Sequence, residues 1–497
     1  MIEWGISALS HDAALAVIKD NELVYASHSE RYSRIKNDKL LHADLLTDAL
    51  RYGSPEVIYY YEQPFKKLTR QLYARQWSSV SKYNHRALAD HVKHDLGFTF
   101  GQELRQHNMS HHMSHAAGGY FTSPFKDATI VVIDAIGEWE VLTIWKAEGN
   151  KLEKIASRNY PHSLGLFYSA MTQRCGLKPN EEEYILMGMS ALGEPHRFYG
   201  ELLDVFFNTN FAPFPKFKHN LHRGCTWWRS EGLKATDIYD VAAATQLVYE
   251  DILDDIMQWA VMQGSSNNLV FTGGCALNCV ANSKIAKYWN NIWIMPSPGD
   301  SGSAIGAILA NKQEHIKWPG PYLGHNIKGD YPIVKVVDEL YKNKIVGVAS
   351  GKAEFGPRAL GNRSLLADPR GKDIKDLVNT YKKREPFRPF APMILKECVD
   401  EVFDMPVSSS PYMQFTAKCK RPDEFPAIVH YDGTSRVQTV SEKDNKEVRS
   451  LLEAWYVKTG CPLLLNTSLN VKGEPLVNTV EDARRFESLN KLKVITP

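Results

Sequence analysis

The tightest grouping of metal-ligating side chains in this 497-residue chain is His111-His112-Met113-Ser114-His115. His111 and His115 stand four apart, so on a helix they share one face and can converge on one cation. Imidazole suits zinc, iron and nickel, and a carboxylate partner favours iron or manganese over a closed structural zinc site. Asp134, closing the apolar run ATIVVID, can supply that carboxylate, and Asp300 in the turn PSPGDSG is a second candidate. The alternative is a solvated or helix-capping histidine cluster. Two glycine turns, Gly273-Gly274 and Gly299–Gly302, each precede a helix-like segment whose backbone N–H groups can cradle phosphate. Neither is a P-loop, because no Lys-Ser/Thr follows. Nearer the C-terminus, arginines sit in turn-rich strings: Arg358 in EFGPRALGNRS, Arg388 in PFRPFAP and Arg436 in HYDGTSRVQT. Guanidinium groups bind phosphate in bidentate fashion, and flanking Pro and Gly fix the backbone that aims them. Surface salt bridges are the plainer reading of any one string. Asn466 and Ser468, after the apolar run in LLLNTSLN, can hydrogen-bond a nucleotide.

The elements that must carry these residues have a recurring form. Ile6–Val24 and Ala128–Ile144 each read as a β-hairpin with a polar or acidic residue near a strand end. Asn268–Asn282 and Ile292–Ala310 each read as a strand, a glycine turn and a helix start. Repeated in this way, the pattern suggests a duplicated nucleotide-binding layout. From Trp318 to Tyr331 the chain is rich in Pro, Gly and Asn and reads as a linker. An amphipathic segment, Val334–Leu340, and a strand, Lys344–Val348, restart the fold beyond it.

Composition narrows the class. With 43% hydrophobic and 23% charged residues the chain reads as globular, and its length allows more than one core. A formal charge of +2 gives no global case for nucleic-acid or membrane binding, leaving only local basic patches. The apolar runs fall far short of the roughly 20 residues a membrane helix needs. The opening residues lack the basic and apolar regions of a leader, so a cytoplasmic protein is expected. Seven cysteines make no disulfide framework, and Cys275 and Cys279, four apart among Gly and apolar residues, read as buried thiols rather than ligands.

Ten strings together resemble the NodU/CmcH family of O-carbamoyltransferases, including its tobramycin-type members. They are GISALSHDAALAV, SERYSRIK, HHMSHAA, EEYILMGMSALGEP, FTGGCALNCVAN, PSPGDSGSAIGA, EFGPRALGNRSLLADPR, REPFRPFAPMIL, HYDGTSRVQTV and LLLNTSLNVKGEP. The resemblance implies an α/β protein with a duplicated actin-like (ASKHA) domain over residues 1–328 and a YrdC-like α/β domain over 329–497. It implies that the second half forms carbamoyl-adenylate from carbamoyl phosphate and ATP, and that the first transfers the carbamoyl group to an acceptor hydroxyl. His111, His115, Asp134 and Asp300 would hold iron or another divalent transition metal. His11 would serve as base on the acceptor, and Lys36 would contact the adenylate. Gly273, Gly274, Asn278 and Gly302 would hold the nucleotide part, with Lys382 and Ser468 holding ATP. Arg358, Arg388 and Arg436 would clamp carbamoyl phosphate, and magnesium is expected at the triphosphate. MGMSALGEP departs from the more usual MGLAPYG, which puts the acceptor or nucleotide wall in question, and Cys275 replaces a small apolar residue.

The acceptor is least defined. Two stretches outside the shared strings are candidates to shape its pocket: Tyr59–Trp77, and Phe206–Arg229 with Phe211, Phe214, Phe217, Trp227 and Trp228 among Lys, Arg and His. These read as a subdomain interface, as a surface for a sugar or antibiotic-like hydroxyl, or as a surface for a nucleotide. A nucleic acid is possible but less favoured, and no membrane partner is expected. The competing functions are a tRNA threonylcarbamoyl transferase-like enzyme and a catalytically silent ATP-binding regulator.

Overall fold

Asp20 and Asn21 both take positive φ, 51° and 68°, which is the twist a two-residue hairpin needs and which Asn and Asp tolerate best. They join strands β2 (Ala14–Lys19) and β3 (Glu22–His28), and β2 pairs in turn with β1 (Ile2–Ser7). On the other side of β1 lie two parallel strands, β4 (Val57–Tyr60) and β5 (Arg105–Asn108). The sheet order is β3-β2-β1-β4-β5. A second sheet repeats this plan. Its central strand β6 (Asp127–Ile133) is followed by antiparallel β7 (Glu140–Glu148) and β8 (Lys151–Asn159), then flanked by parallel β9 (Asn268–Thr272) and β10 (Asn291–Trp293). Its order, β10-β9-β6-β7-β8, is the first sheet's order with each strand replaced by its counterpart. The central strands are buried along nearly their whole length, because helices cover the sheets.

Each sheet delivers one helix after its outer parallel strand: His111–Phe121 after β5, and Ser303–Lys312 after β10. These two helices cross at a backbone-to-backbone contact. A Cβ on Gly118 would stand 3.1 Å from Gly306 Cα, and one on Gly306 would fall 1.9 Å from the Ser114 carbonyl. A side chain at Gly306 would collide with backbone, and one at Gly118 would sit tightly against it.

The computed structural model describes residues 1–80, 83–96, 104–208, 214–229, 232–264 and 266–497, so Phe211 lies outside the described residues. Two compact units emerge. The first comprises Met1–Ser29, Asn37–Ala281 and Ile285–Pro319, and the second Glu30–Lys36, Asn282–Lys284 and Gly320–Pro497. The division falls at Pro319/Gly320, ahead of the 328/329 boundary read from composition, and two short segments from earlier in the chain group with the second unit.

The second unit is built on a six-stranded mixed sheet. Its strands run in the order Gln438–Val440, Ala391–Leu395, Leu463–Ser468, Arg363–Ala367, Ile345–Ala349 and Val494–Ile495. Its core includes Val346, Leu365, Met393, Leu452, Trp455 and Leu464. The stretch read as a linker departs from that expectation. Within it Tyr322–Ile327 forms a strand antiparallel to Gly351–Glu354, and Leu323 and Ile327 are buried. Pro319, Gly320 and Pro321 precede the strand and Gly329 follows it, while Gly324 lies within it. All seven cysteines are free thiols, with Cys275 alone partly exposed. Among the described residues no helix is long and apolar enough to cross a membrane.

The helix crossing yields a stability test. Gly306→Ala must move the Ser114 carbonyl and is expected to cost about 1–3 kcal/mol as an overpacked core site. Gly200→Ala, in helix His196–Phe206 with nothing within 4 Å of its Cβ position, is expected to be stabilising by about 0.5–1 kcal/mol. Denaturant unfolding of the two variants checks the contrast.

Candidate functional site

The crossing brings four predicted ligands of the first unit together. His111 and His115 lie on one face of the first helix, Asp134 just past the end of β6, and Asp300 in the turn leading into the second helix. One ligating atom from each falls within 4.8 Å of all the others. His111 Nε2 is 3.2 Å from Asp134 Oδ2, 3.4 Å from Asp300 Oδ1 and 3.2 Å from His115 Nε2. His115 Nε2 is also 3.4 Å from Asp300 Oδ1. Both histidines are buried.

Neighbouring groups set the orientation of each ligand. His115 Nδ1 lies 3.2 Å from Ser303 Oγ, and a proton shared there leaves the Nε2 lone pair facing the cluster. Asp134 Oδ1 accepts the Gly274 N–H at 3.0 Å. Gly273 has φ 89°, and a Cβ there would meet the Ile133 carbonyl at 2.2 Å, so this glycine turn packs directly against the end of β6. Buried Glu138 accepts the N–H groups of His111 (3.1 Å) and Gln63 (2.6 Å), supplying the cap that Ser110 does not give this helix. His112 differs from its neighbours. It points away to Thr143 Oγ1 at 2.9 Å, and burial with the charges of His111 and His115 holds its pKa well below the ordinary histidine value.

The field of the cluster favours a cation. Burial opposes charging His111, but the carboxylates of Asp300 and Asp134 outweigh it and raise its pKa to about 9. Burial likewise works against the Asp134 carboxylate, yet the hydrogen bond from His111 and the histidine charges hold it well below the usual range. His11 lies on the same side of the unit. Burial again opposes its charge, and Asp12, 3.3 Å from Nδ1, together with Asp300 raises it to about 9.

The remaining predicted nucleotide contacts of the first unit are engaged within the protein. Asn278 caps helix Cys279–Ile285 through the Ala281 N–H at 3.1 Å and exchanges two hydrogen bonds with Gln246. Gly302 is buried, and a Cβ there would meet the Ser297 carbonyl at 1.8 Å.

The second unit gathers another set. Buried Lys382 donates to Ser468 Oγ at 2.9 Å and to Asn470 Oδ1 at 2.5 Å. Burial, then the charges of Arg384, Arg388 and Lys36, push its pKa well below that of an ordinary lysine. Lys36 therefore belongs with the lysine and arginines of the second unit, although it comes early in the chain. Arg388 is 3.6 Å from Glu385, which also pairs with Lys472. The Arg358 loop is tied to the sheet by Ala359 and Leu360, whose carbonyls accept from Asn466 (3.1 Å) and Gln438 (3.2 Å). Gln438 lies two residues beyond Arg436, in the adjoining strand. Glu354 Oε1 accepts the N–H groups of Leu360, Asn362 and Arg363, at 2.8, 2.8 and 3.2 Å. Fully buried Arg363 donates to the carbonyls of Ser350, Gly351, Asn362, His325 and Asn478. Neither Glu354 nor Arg363 was singled out from sequence, although both lie within or beside the string that contains Arg358.

Comparison with known proteins matches this architecture at both ends. Residues 66–309 match the carbamoyltransferase N-terminus model and residues 337–496 the carbamoyltransferase C-terminus model. Nodulation protein U of Sinorhizobium fredii is 30% identical, over 94% of this chain and 93% of its own. The chain belongs to the carbamoyltransferase family. Nodulation protein NolO of Bradyrhizobium diazoefficiens is 32% identical over 76% of this chain and 75% of its own. Among solved structures, full-length HypF in its phosphate- and nucleotide-bound form aligns at a TM-score of 0.38 and 12% identity, over 63% of this chain and 46% of that one. That likeness is too slight to carry an argument, so the fold of this carbamoyltransferase rests on its own strand order.

A divalent cation entering the His-Asp cluster at pH 7 must displace the proton that the carboxylates hold on His111. Manganese titrated calorimetrically in buffers of different ionisation enthalpy is expected to release at least one proton per ion. Apparent affinity is expected to rise about tenfold per pH unit from pH 7 towards 9, the pKa of His111. Binding without proton release, or release that survives His111→Ala, would place the ion elsewhere.

Proposed function

We propose that this carbamoyltransferase works in two steps: carbamoyl-adenylate formation in the second unit, and carbamoyl transfer to an acceptor hydroxyl in the first. The observation that carries the reading is the convergence of two imidazoles and two carboxylates in one unit, alongside a separate lysine-arginine cluster in the other. These are different chemistries. The cationic set suits small polyanions, whereas the His-Asp set suits a metal ion.

In the second unit, carbamoyl phosphate is a small dianion, and Arg358, Arg388 and Arg436 are the groups we assign to it. Lys382, oriented by Ser468 and Asn470, and Lys36 would hold the ATP phosphates, with magnesium as counter-ion. A YrdC-like fold for this unit belongs to the same proposal. Carbamoyl phosphate would lose its phosphate to water, and the carbamate oxygen so freed would attack the ATP α-phosphorus and expel pyrophosphate, leaving the carbamoyl carbon bonded to AMP, a good leaving group.

In the first unit, His111, His115, Asp134 and Asp300 fit a divalent transition metal, because both Nε2 atoms and a carboxylate oxygen from each aspartate already face one point. Among the described residues the buried Nδ1 of His111 has no hydrogen-bond partner, whereas that of His115 is held by Ser303. Iron is our preferred ion on the mixed nitrogen and oxygen donor set. Once bound, such an ion supplies Lewis-acid stabilisation of negative charge. We assign to His11 the proton of the acceptor hydroxyl. Because, against burial, Asp12 and then Asp300 raise its pKa to about 9, it would act as base through its unprotonated fraction, which grows as pH rises towards 9. The Gly273-Gly274 turn lies against Asp134 and is where we place the adenylate's phosphate.

Arg388→Ala is expected to abolish carbamoyl-adenylate formation, followed as carbamoyl-phosphate-dependent release of pyrophosphate from ATP, while supplied carbamoyl-adenylate is still consumed. His11→Ala is expected to do the reverse, with the first step intact and transfer slowed by about 10²–10⁴. Loss of the first step in His11→Ala would overturn this division of labour.

A further inference from the structure

The stretch Phe206–Arg229 contains Lys216, Lys218, His219, His222, Arg223 and Arg229 but no Asp or Glu. The structure sorts its aromatic residues into two groups. Phe206, Phe207, Phe217 and Trp228 are buried, packed around Phe167 or Phe198, and account for the interface reading of this segment. Trp227 is 50% exposed, with its ring 4.8 Å from that of His219, which is also exposed. Lys216 and Lys218 flank buried Phe217 in an extended run, so both side chains fall on the solvent side, and Arg223 is exposed beyond them. Arg229 differs, because Glu201 pairs with it at 2.5 Å. No salt bridge forms to Lys216, Lys218 or Arg223 among the described residues, and Lys218 Nζ meets only the Asp204 carbonyl. Two histidines register the positive field. Burial, then Arg158 and Lys216, lower His162, and burial, then Arg70 and Arg223, lower His222.

We propose that Lys216, Lys218, His219, Arg223 and Trp227 form a binding surface for single-stranded nucleic acid. An exposed ring pair among uncompensated cations fits a chain that alternates planar bases with phosphates, because each base can stack while its neighbours' phosphates meet Lys or Arg. A duplex hides its base faces, and a polyanion without bases makes no use of the ring. A chain of hydrogen bonds links this surface to the His-Asp site in the first unit. Asn220 Nδ2 donates to Tyr160 OH at 2.6 Å, and Tyr160 N–H donates to the carbonyl of Trp139, whose neighbour Glu138 caps the His111 helix. The proposal concerns binding alone and stands or falls independently of the two-step mechanism.

The test uses the full chain and a fluorescein-labelled 12-nucleotide thymidine strand, followed by anisotropy from 50 to 200 mM NaCl. Trp227→Ala is expected to weaken binding about tenfold or more, and Trp227→Phe to restore most of it. Lys216→Glu with Arg223→Glu is expected to reduce the slope of log affinity against log salt by about 1.4, the value for two lost phosphate contacts on a single strand. Thermal melts of the variants confirm that they fold. The proposal is overturned by absence of binding at 50 mM salt, by tighter binding to a duplex of the same length, or by heparin binding as well as the strand with no response to Trp227→Ala.

Discussion

The candidate site depends on two helices meeting with nothing between their backbones. Gly118 and Gly306 allow the helices that follow the two sheets to approach more closely than any side chain would permit. The consequence appears at their N-terminal ends, where His111 and His115 on one helix face Asp300 ahead of the other. Moving the helices apart by the radius of a methyl group would break this set of contacts, whose separations are 3.2–3.4 Å. The fold's duplication therefore has a chemical use. Each half supplies one helix, and neither half alone holds the four groups.

In the second unit the ordering device is electrostatic rather than steric. The loop between Glu354 and Arg363 has little regular structure, and its Pro and Gly cannot close a ladder of their own. Two buried charges organise it instead. Glu354 gathers three N–H groups of the loop, and Arg363 gathers five carbonyls from the surrounding backbone. Burial lowers the Arg363 pKa to about 10, against the opposing charge of Glu354. Satisfying these backbone groups lets a turn-rich string hold Arg358 in a defined place.

How much of this was legible in the sequence follows from how local each signal is. A hairpin with Asp-Asn at its turn, a strand leading directly into Asp134 and a helix with His four apart are written in a few consecutive residues, and the structure contains them. The duplication was visible as a repeated pattern of such pieces. Residues whose work is done at a distance were not visible. Glu138 lies 27 residues from the His111 N–H it accepts, and Gln246 lies 32 from Asn278, so no local pattern marks either pair. The strand at Tyr322–Ile327 was hidden for a related reason. Pro and Gly at its ends dominate the composition there, while its partner lies further along the chain. Arg363 was masked by Arg358, since from sequence alone an arginine aimed at a ligand and one buried among carbonyls look alike.

The two units differ in the sign of the charge they gather. A pocket able to hold carbamoyl phosphate and a triphosphate must be strongly cationic, and around Lys382 the crowding of Arg384, Arg388 and Lys36 already disfavours its own protonation. Such a field suits a divalent ion only where phosphate oxygens accompany it, whereas two carboxylates and two imidazoles suit a cation on their own. Under the proposed division Asp134 and Asp300 would stabilise a cation beside the imidazoles, while the lysines and arginines would stabilise anions. In the first unit the acid-free stretch around Trp227 presents Lys216, Lys218 and Arg223 without a salt bridge among the described residues, which leaves these cations available to an anionic partner.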